Sequence, residues 1–161
     1  MNQVRPITPR FAVTGVLRLD DFGDIAAAGF KSVLSNLPDG ESPAYPASTQ
    51  EAEAAARAGL AFRHLPARKA DLFTAGLLDA IEAALRELPG PVLAHCASGQ
   101  RSALAWAAAA ARLQPATEVM ATMQRAGFDL SAIQDELEAL RDPTRTDAIP
   151  PGLDAGEGRG S

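Results

Sequence analysis

Apolar positions along this chain alternate between short β-prone runs and longer stretches with helical spacing. Phe11-Ala12-Val13-Thr14-Gly15-Val16 predicts a first strand, with Gly15 permitting a bend or a close approach. Leu19, Phe22 and Ile25 then share one side of a short helix, with Asp20 or Asp21 as its cap and Gly29 as its end. Lys31–Ser35 predicts a second strand and Ala61–Leu65 a third. Between them, Leu37-Pro38-Asp39-Gly40-Glu41 carries a proline-led turn signal. Ser48-Thr49-Gln50-Glu51 has the spacing of a capping box for a helix through Ala58 that Gly59 stops. Leu77, Ile81, Leu85 and Leu88, at i, i+4, i+8 and i+11, mark a long amphipathic helix. Pro89-Gly90-Pro91 breaks it and leads into a fourth strand, Val92-Leu93-Ala94. The alanine-rich run Ala103–Ala111 reads as helix. So does the stretch from Thr117 to near Gly127, with Val119, Met120 and Met123 inward. Leu130, Ile133, Leu137 and Leu140 make a last apolar stripe.

Strands separated by helical patterns imply βαβ units, hence an α/β fold with a mainly parallel central sheet flanked by helices. One such domain is expected over residues 1–141. From Asp142 the chain turns rich in proline and glycine without an apolar period, so residues 142–161 are expected to form a disordered tail or linker. Ligands of parallel sheets bind beyond the strand C-termini. If the second, third and fourth strands run parallel, the loops Asn36–Glu41, Pro66–Asp71 and Cys96–Arg101 meet at that edge.

Composition narrows the function. A chain of 161 residues that is 47% hydrophobic sustains one real core. A net charge of -5 argues against general nucleic-acid binding. Met1–Pro6 lacks the apolar segment of a signal peptide, and Ala103–Ala111 is too short and too weakly apolar to span a bilayer. The single cysteine cannot form an internal disulfide, which fits a reducing compartment. A cytoplasmic protein with no membrane or nucleic-acid partner is expected. The two histidines and one cysteine show no ligand spacing, so neither a metal nor a cofactor is expected.

The chemistry concentrates in His95-Cys96-Ala97-Ser98-Gly99-Gln100-Arg101-Ser102, set between an apolar run and the alanine-rich helix. A strand, a short glycine-containing loop and a helix N-terminus aim successive amides at one point, which attracts anions. Cys96 in that field is expected to ionise readily and act as a nucleophile. Arg101 presents a planar fork suited to an oxyanion, in a helical turn where a cation is otherwise unfavourable. Ala97, Ser98, Gly99 and Gln100 complete the anion cradle. Ser102 is most simply an N-cap, with a second role beside the Cys96 sulfur that the cap does not exclude. His95 is expected to support the loop by hydrogen bonding, and His64 to be structural. Asp71 starts a helix on the same edge. It is either an ordinary N-cap or a general acid that protonates a leaving group. Asp39 and Glu41 are rival carboxylates whose plain reading is turn chemistry. Arg68 and Lys69 are either solvated or a positive rim at the site mouth.

The His-Cys pair, the glycine and the Arg-Ser pair resemble the signature of cysteine-dependent protein tyrosine and dual-specificity phosphatases. The match is closer to a bacterial phosphatase-like family found as a domain of the beta-lactamase-hydrolase-like proteins. That resemblance runs from about Phe11 to Leu140 through three motifs: Phe11–Gly15, Asn36–Glu41 and His95–Ser102. It implies a three-layer cysteine-phosphatase-like fold, carries Cys96 and Arg101 over as the catalytic pair, and makes Asn36 and Asp39 supporting residues. Four residues separate Cys96 from Arg101, one fewer than in the well-studied phosphatases. A loop of this length is similar to that of rhodanese-type sulfurtransferases, whose cysteine carries a persulfide sulfur. Relatives often carry arginines where this chain has Leu37 and Ala97. Three activities follow as expectations. The first is hydrolysis of a phosphomonoester through a phosphocysteine. The second is transfer of a sulfane sulfur through a persulfide on Cys96. The third is non-catalytic binding of an anion or phosphoprotein.

Overall fold

In the computed structural model, which describes residues 1–156, five strands and six α-helices alternate. They are β1 (Arg5–Thr8), β2 (Phe11–Thr14), α1 (Asp21–Ala27), β3 (Ser32–Ser35), α2 (Ser48–Ala58), β4 (Ala61–His64), α3 (Ala75–Glu87), β5 (Val92–His95), α4 (Gln100–Leu113), α5 (Ala116–Arg125) and α6 (Gln134–Leu140). The sheet order is β1-β2-β5-β3-β4. β5 runs parallel to both β2 and β3, β4 runs parallel to β3, and β1 closes one edge antiparallel to β2. The register aligns Thr14 with His95, Ser35 with His95, and Ser35 with His64. Four strands therefore end at one level, and the loops that follow β3, β4 and β5 open at the same edge, as the parallel arrangement predicts.

The strand period of two sorts side chains between two cores. Ala12, Val33 and Leu93 join Phe22, Ile25, Ala54 and Ala55 on the side of α1 and α2. Phe11, Val13, Leu34, Val92 and Ala94 face the opposite layer, where α3 to α6 pack. α4 lies inside that layer against α3, α5 and α6. A helix buried on nearly every side needs small side chains for its neighbours to close in. Ala103, Ala105 and Ala107–Ala111 are all buried.

Two parts of the chain depart from the sequence expectation. β1 holds Pro6, which strand patterns demote, yet an edge strand tolerates its missing N–H. The expected disordered tail is corrected for residues 142–156; residues 157–161 lie outside the described residues. Leu153 and Ala155 are fully buried. The Trp106 indole N–H donates to the Gly152 carbonyl at 2.8 Å. Gln114 donates to the Leu153 carbonyl and accepts from the Ala155 amide. Thr122 donates to the Ala155 carbonyl. Arg145 grips Glu82 through two N–H groups, each at 2.8 Å. Polar side chains of α4, the residue after it and α5 hold the strap's backbone beside the buried Leu153 and Ala155, and two isolated apolar residues make no period that announces it. Gln114→Leu leaves the Leu153 carbonyl and the Ala155 amide without their partner, and is expected to lower stability by about 2 kcal/mol. A shift in the urea midpoint at unchanged slope is the readout.

Candidate active site

β5 delivers His95 and Cys96 to the floor of the loop. Gly99, the residue before α4, adopts φ +91, a left-handed conformation that L side chains rarely take. A Cβ there would also sit 3.2 Å from the Thr14 carbonyl. Gly15 makes the matching close approach: a Cβ on it would meet the Ala97 oxygen at 3.1 Å. The Val16 amide donates to that same oxygen at 3.1 Å, pinning the loop to the end of β2. So held, the Gly99 N–H donates to the Cys96 sulfur at 3.1 Å. Cys96 has 0% exposure; the sulfur is covered by its own loop and its neighbours.

Arg101 stands in the first turn of α4 and joins the three loops. Its Nη1 donates to Glu41 Oε2 at 2.8 Å and to the Ala67 carbonyl at 2.9 Å, and its Nη2 donates to Glu41 Oε1 at 2.6 Å. The Nε–H and one further Nη2 hydrogen are not used by these bonds. Hydrogen bonding to Glu41 raises the Arg101 pKa. Burial opposes it, and the neighbouring Cys96 adds to it. In return Arg101 holds the Glu41 carboxyl below its ordinary value of 4.5.

Asn36 is the joint between elements. Its amide donates to the His95 carbonyl at 2.7 Å, and its side-chain nitrogen to the Leu65 carbonyl at 2.8 Å. Its own carbonyl accepts from the Ala67 amide. Ser102, expected as the N-cap, lies within the first turn instead, because Gly99 occupies the cap position. The Ser102 hydroxyl donates to Asn36 Oδ1 at 2.8 Å. Under the loop, His95 Nε2 and Glu51 Oε2 lie 2.6 Å apart, both residues buried.

The remaining carboxylates are engaged elsewhere. Asp39 accepts from the Ser48 amide at 2.7 Å and the Ser48 hydroxyl at 2.6 Å, at the start of α2. Those two bonds, the hydroxyl's first, lower its pKa. Asp71 ends a 3-10 turn, Lys69–Asp71, and its Oδ2 turns back to the Arg68 amide at 3.4 Å. The structure does not bring its carboxylate into the cradle. His64 Nε2 pairs with the Leu37 carbonyl at 2.8 Å, a structural bond. Ser98 and Gln100 are exposed on the rim, and Ala97 is half-buried. Beside Arg101 and Glu41 a cleft of about 600 Å3 opens, walled also by Arg68, Lys69, Leu72 and Leu104.

Sequence reasoning missed Glu51 as a partner of His95 and Glu41 as the partner of Arg101. The first signal was hidden in a capping-box spacing and the second in a turn motif. Among the described residues no cluster of His, Cys, Asp and Glu could hold a metal ion. No helix among them is long and apolar enough to cross a membrane.

Residues 3–113 match the sequence profile of the phosphatase-like domain of the beta-lactamase hydrolase-like proteins. A beta-lactamase hydrolase-like protein of Agrobacterium fabrum is 37% identical over 102 residues, 63% of this chain but only 23% of that protein's length. The solved structure of a candidate phosphatase from Neisseria meningitidis superposes with a TM-score of 0.73 at 27% identity, over 85% of this chain and 97% of that one. Tk-PTP in its active form shares the fold, with a TM-score of 0.59 at 20% identity over 87% of this chain and 97% of that one.

Proposed function

This chain belongs to the phosphatase-like domain family of the beta-lactamase hydrolase-like proteins, and from that membership and the cradle we propose that it hydrolyses phosphomonoesters through Cys96. One observation carries the reading. The Cys96 sulfur accepts an amide N–H of its own loop, at the N-terminus of α4, beside an arginine with N–H groups to spare. Cys96 attacks phosphorus, and the bond to the leaving oxygen breaks. The loop amides and Arg101 take up the charge on the non-bridging oxygens, and water then cleaves the phosphocysteine.

A second reading, sulfur transfer through a Cys96 persulfide, is favoured by two observations. The cradle has one residue fewer than in the well-studied phosphatases. Glu41, Asp39 and Asp71 each turn a carboxylate oxygen to another partner, so none of these three stands ready as a general acid for an alkoxide leaving group. Sulfur transfer requires none. The reduced protein is therefore given an aryl phosphate in one assay and thiosulfate plus cyanide in another, with an intact mass after each. Vanadate-sensitive phosphate release is the expected result. Thiocyanate formation, with the mass gain of one sulfur on Cys96 when cyanide is left out, replaces the first reading with the second.

Glu41 serves as a positioning residue in either chemistry: it holds one edge of the guanidinium so that the other faces the cradle. Glu41→Gln keeps the shape and removes the charge, and is expected to reduce kcat/KM by about tenfold. The pair also has a pH signature. A carboxyl whose folded-state pKa is lowered stabilises the folded chain above its ordinary value, and that contribution is lost as pH falls through the lowered one. Stability below about pH 4.5 should therefore fall less steeply in Glu41→Gln than in the parent, as read by acid titration of the unfolding midpoint.

A further inference from the structure

The cleft beside Arg101 has a charge pattern that the reaction at Cys96 does not use. Glu41 matches the charge of Arg101. Arg68 and Lys69 are exposed on the same cleft, and among the described residues neither makes an ion pair. The nearest acid on their turn, Asp71, directs its carboxylate to the Arg68 amide. In a chain of net charge -5, two exposed cations thus stand at the mouth of the anion cradle without a close ion pair, although Glu41 feels the charge of Arg68 and Asp71 lies on the same turn. Their placement is not loose. They follow Ala67, which is fully buried, donates its amide to Asn36 and accepts from Arg101 through its carbonyl. The segment that orients the catalytic arginine also sets where Arg68 and Lys69 begin. Leu72 and Leu104 add an apolar wall. At about 600 Å3 the cleft has the size of a small-molecule pocket rather than a protein-docking surface.

We propose that the Arg68–Lys69 cleft is a second anion subsite, and that the substrate is a small organic phosphomonoester bearing another anionic group. The reacting phosphoryl group sits in the Cys96–Arg101 cradle, the carbon body lies against Leu72 and Leu104, and the second anion meets Arg68 and Lys69. This rests on the reading of the cradle as a phosphoryl site, and it concerns recognition rather than the bond-breaking step.

The test measures binding, so that it does not depend on turnover. The full chain carrying Cys96→Ser is titrated calorimetrically with phenyl phosphate and with benzene-1,4-diyl bisphosphate. The bisphosphate should bind about tenfold more tightly, the effect of two charge-assisted contacts from exposed side chains, against about twofold from having two equivalent phosphates. Adding Arg68→Gln and Lys69→Gln should bring the ratio down to that statistical value. Adding Lys31→Gln and Arg57→Gln instead removes two exposed cations outside the cleft and should leave the ratio high. A parent ratio near the statistical value overturns the subsite, as does an equal fall in both double variants, which would be a general charge effect. Phosphate release by the chain with Cys96 intact is followed in parallel. Its absence, with the ratio and its loss as expected, overturns hydrolysis and supports the subsite.

Discussion

Replacing Cys96 with serine is expected to lower turnover by at least about a thousandfold and to leave the fold intact. The position is fully buried at the end of β5, and serine is slightly smaller than cysteine, so packing is nearly conserved. The Gly99 N–H still finds an acceptor in the hydroxyl oxygen. What disappears is the nucleophile: a serine hydroxyl is a far weaker acid than a thiol, and among the described residues His95, the nearest base in sequence, already faces Glu51. The loop amides and Arg101 remain, so a simple phosphate ester should still bind, and a calorimetric titration alongside the rate assay separates the two effects. Phosphoryl transfer and sulfur transfer both pass through the Cys96 sulfur. Full turnover by Cys96→Ser sinks both thiolate mechanisms.

The core of the site was legible because it is local. Cys96 to Ser102 is one contiguous segment, and a strand, a glycine and an alanine-rich helix around it fix its shape with little help from elsewhere. The parallel sheet was legible too, since alternation of short apolar runs and helical periods leaves few other topologies. What the sequence hides is long-range and polar. Glu41 and Arg101 are sixty positions apart, and nothing in a turn motif says that its last carboxylate will turn onto the next loop but one. Ser102 looked like a cap because serine usually is one, but the left-handed Gly99 starts the helix earlier and frees the hydroxyl for Asn36. Asp71 looked available because its position on the edge was right, whereas its carboxylate closes its own turn. The strap 150–156 was missed because its two buried apolar residues, Leu153 and Ala155, make no period, and the rest of its hold is backbone groups bonded to Trp106, Gln114 and Thr122.

The least legible pair is also expected to matter most for stability. Glu51 and His95 are both buried, with Nε2 and Oε2 2.6 Å apart, and the pair ties α2 to the strand that leads into Cys96. The other ring nitrogen, Nδ1, has no hydrogen-bond partner among the described residues, so Glu51 is the ring's main polar anchor. Glu51→Ala strips that anchor and opens a cavity, and is expected to lower stability by about 3–5 kcal/mol. Glu51→Gln keeps the volume and an acceptor oxygen, and should lose only about 1 kcal/mol. Replacing both partners, as Glu51→Leu with His95→Phe, removes the buried polar groups together, and should be less destabilising than the sum of the two single changes. Urea unfolding of these variants, together with Glu51→Leu and His95→Phe singly, measures this directly, and a Glu51→Ala variant within about 1 kcal/mol of the parent would show that the pair is not an anchor. Stability regained in the double variant should not restore turnover. His95 precedes Cys96 directly, and its carbonyl receives the Asn36 amide that organises Ala67 and Ser102. An apolar ring in its place can fill the core under the cradle, but it has no polar contact through which α2 can fix where the sulfur sits.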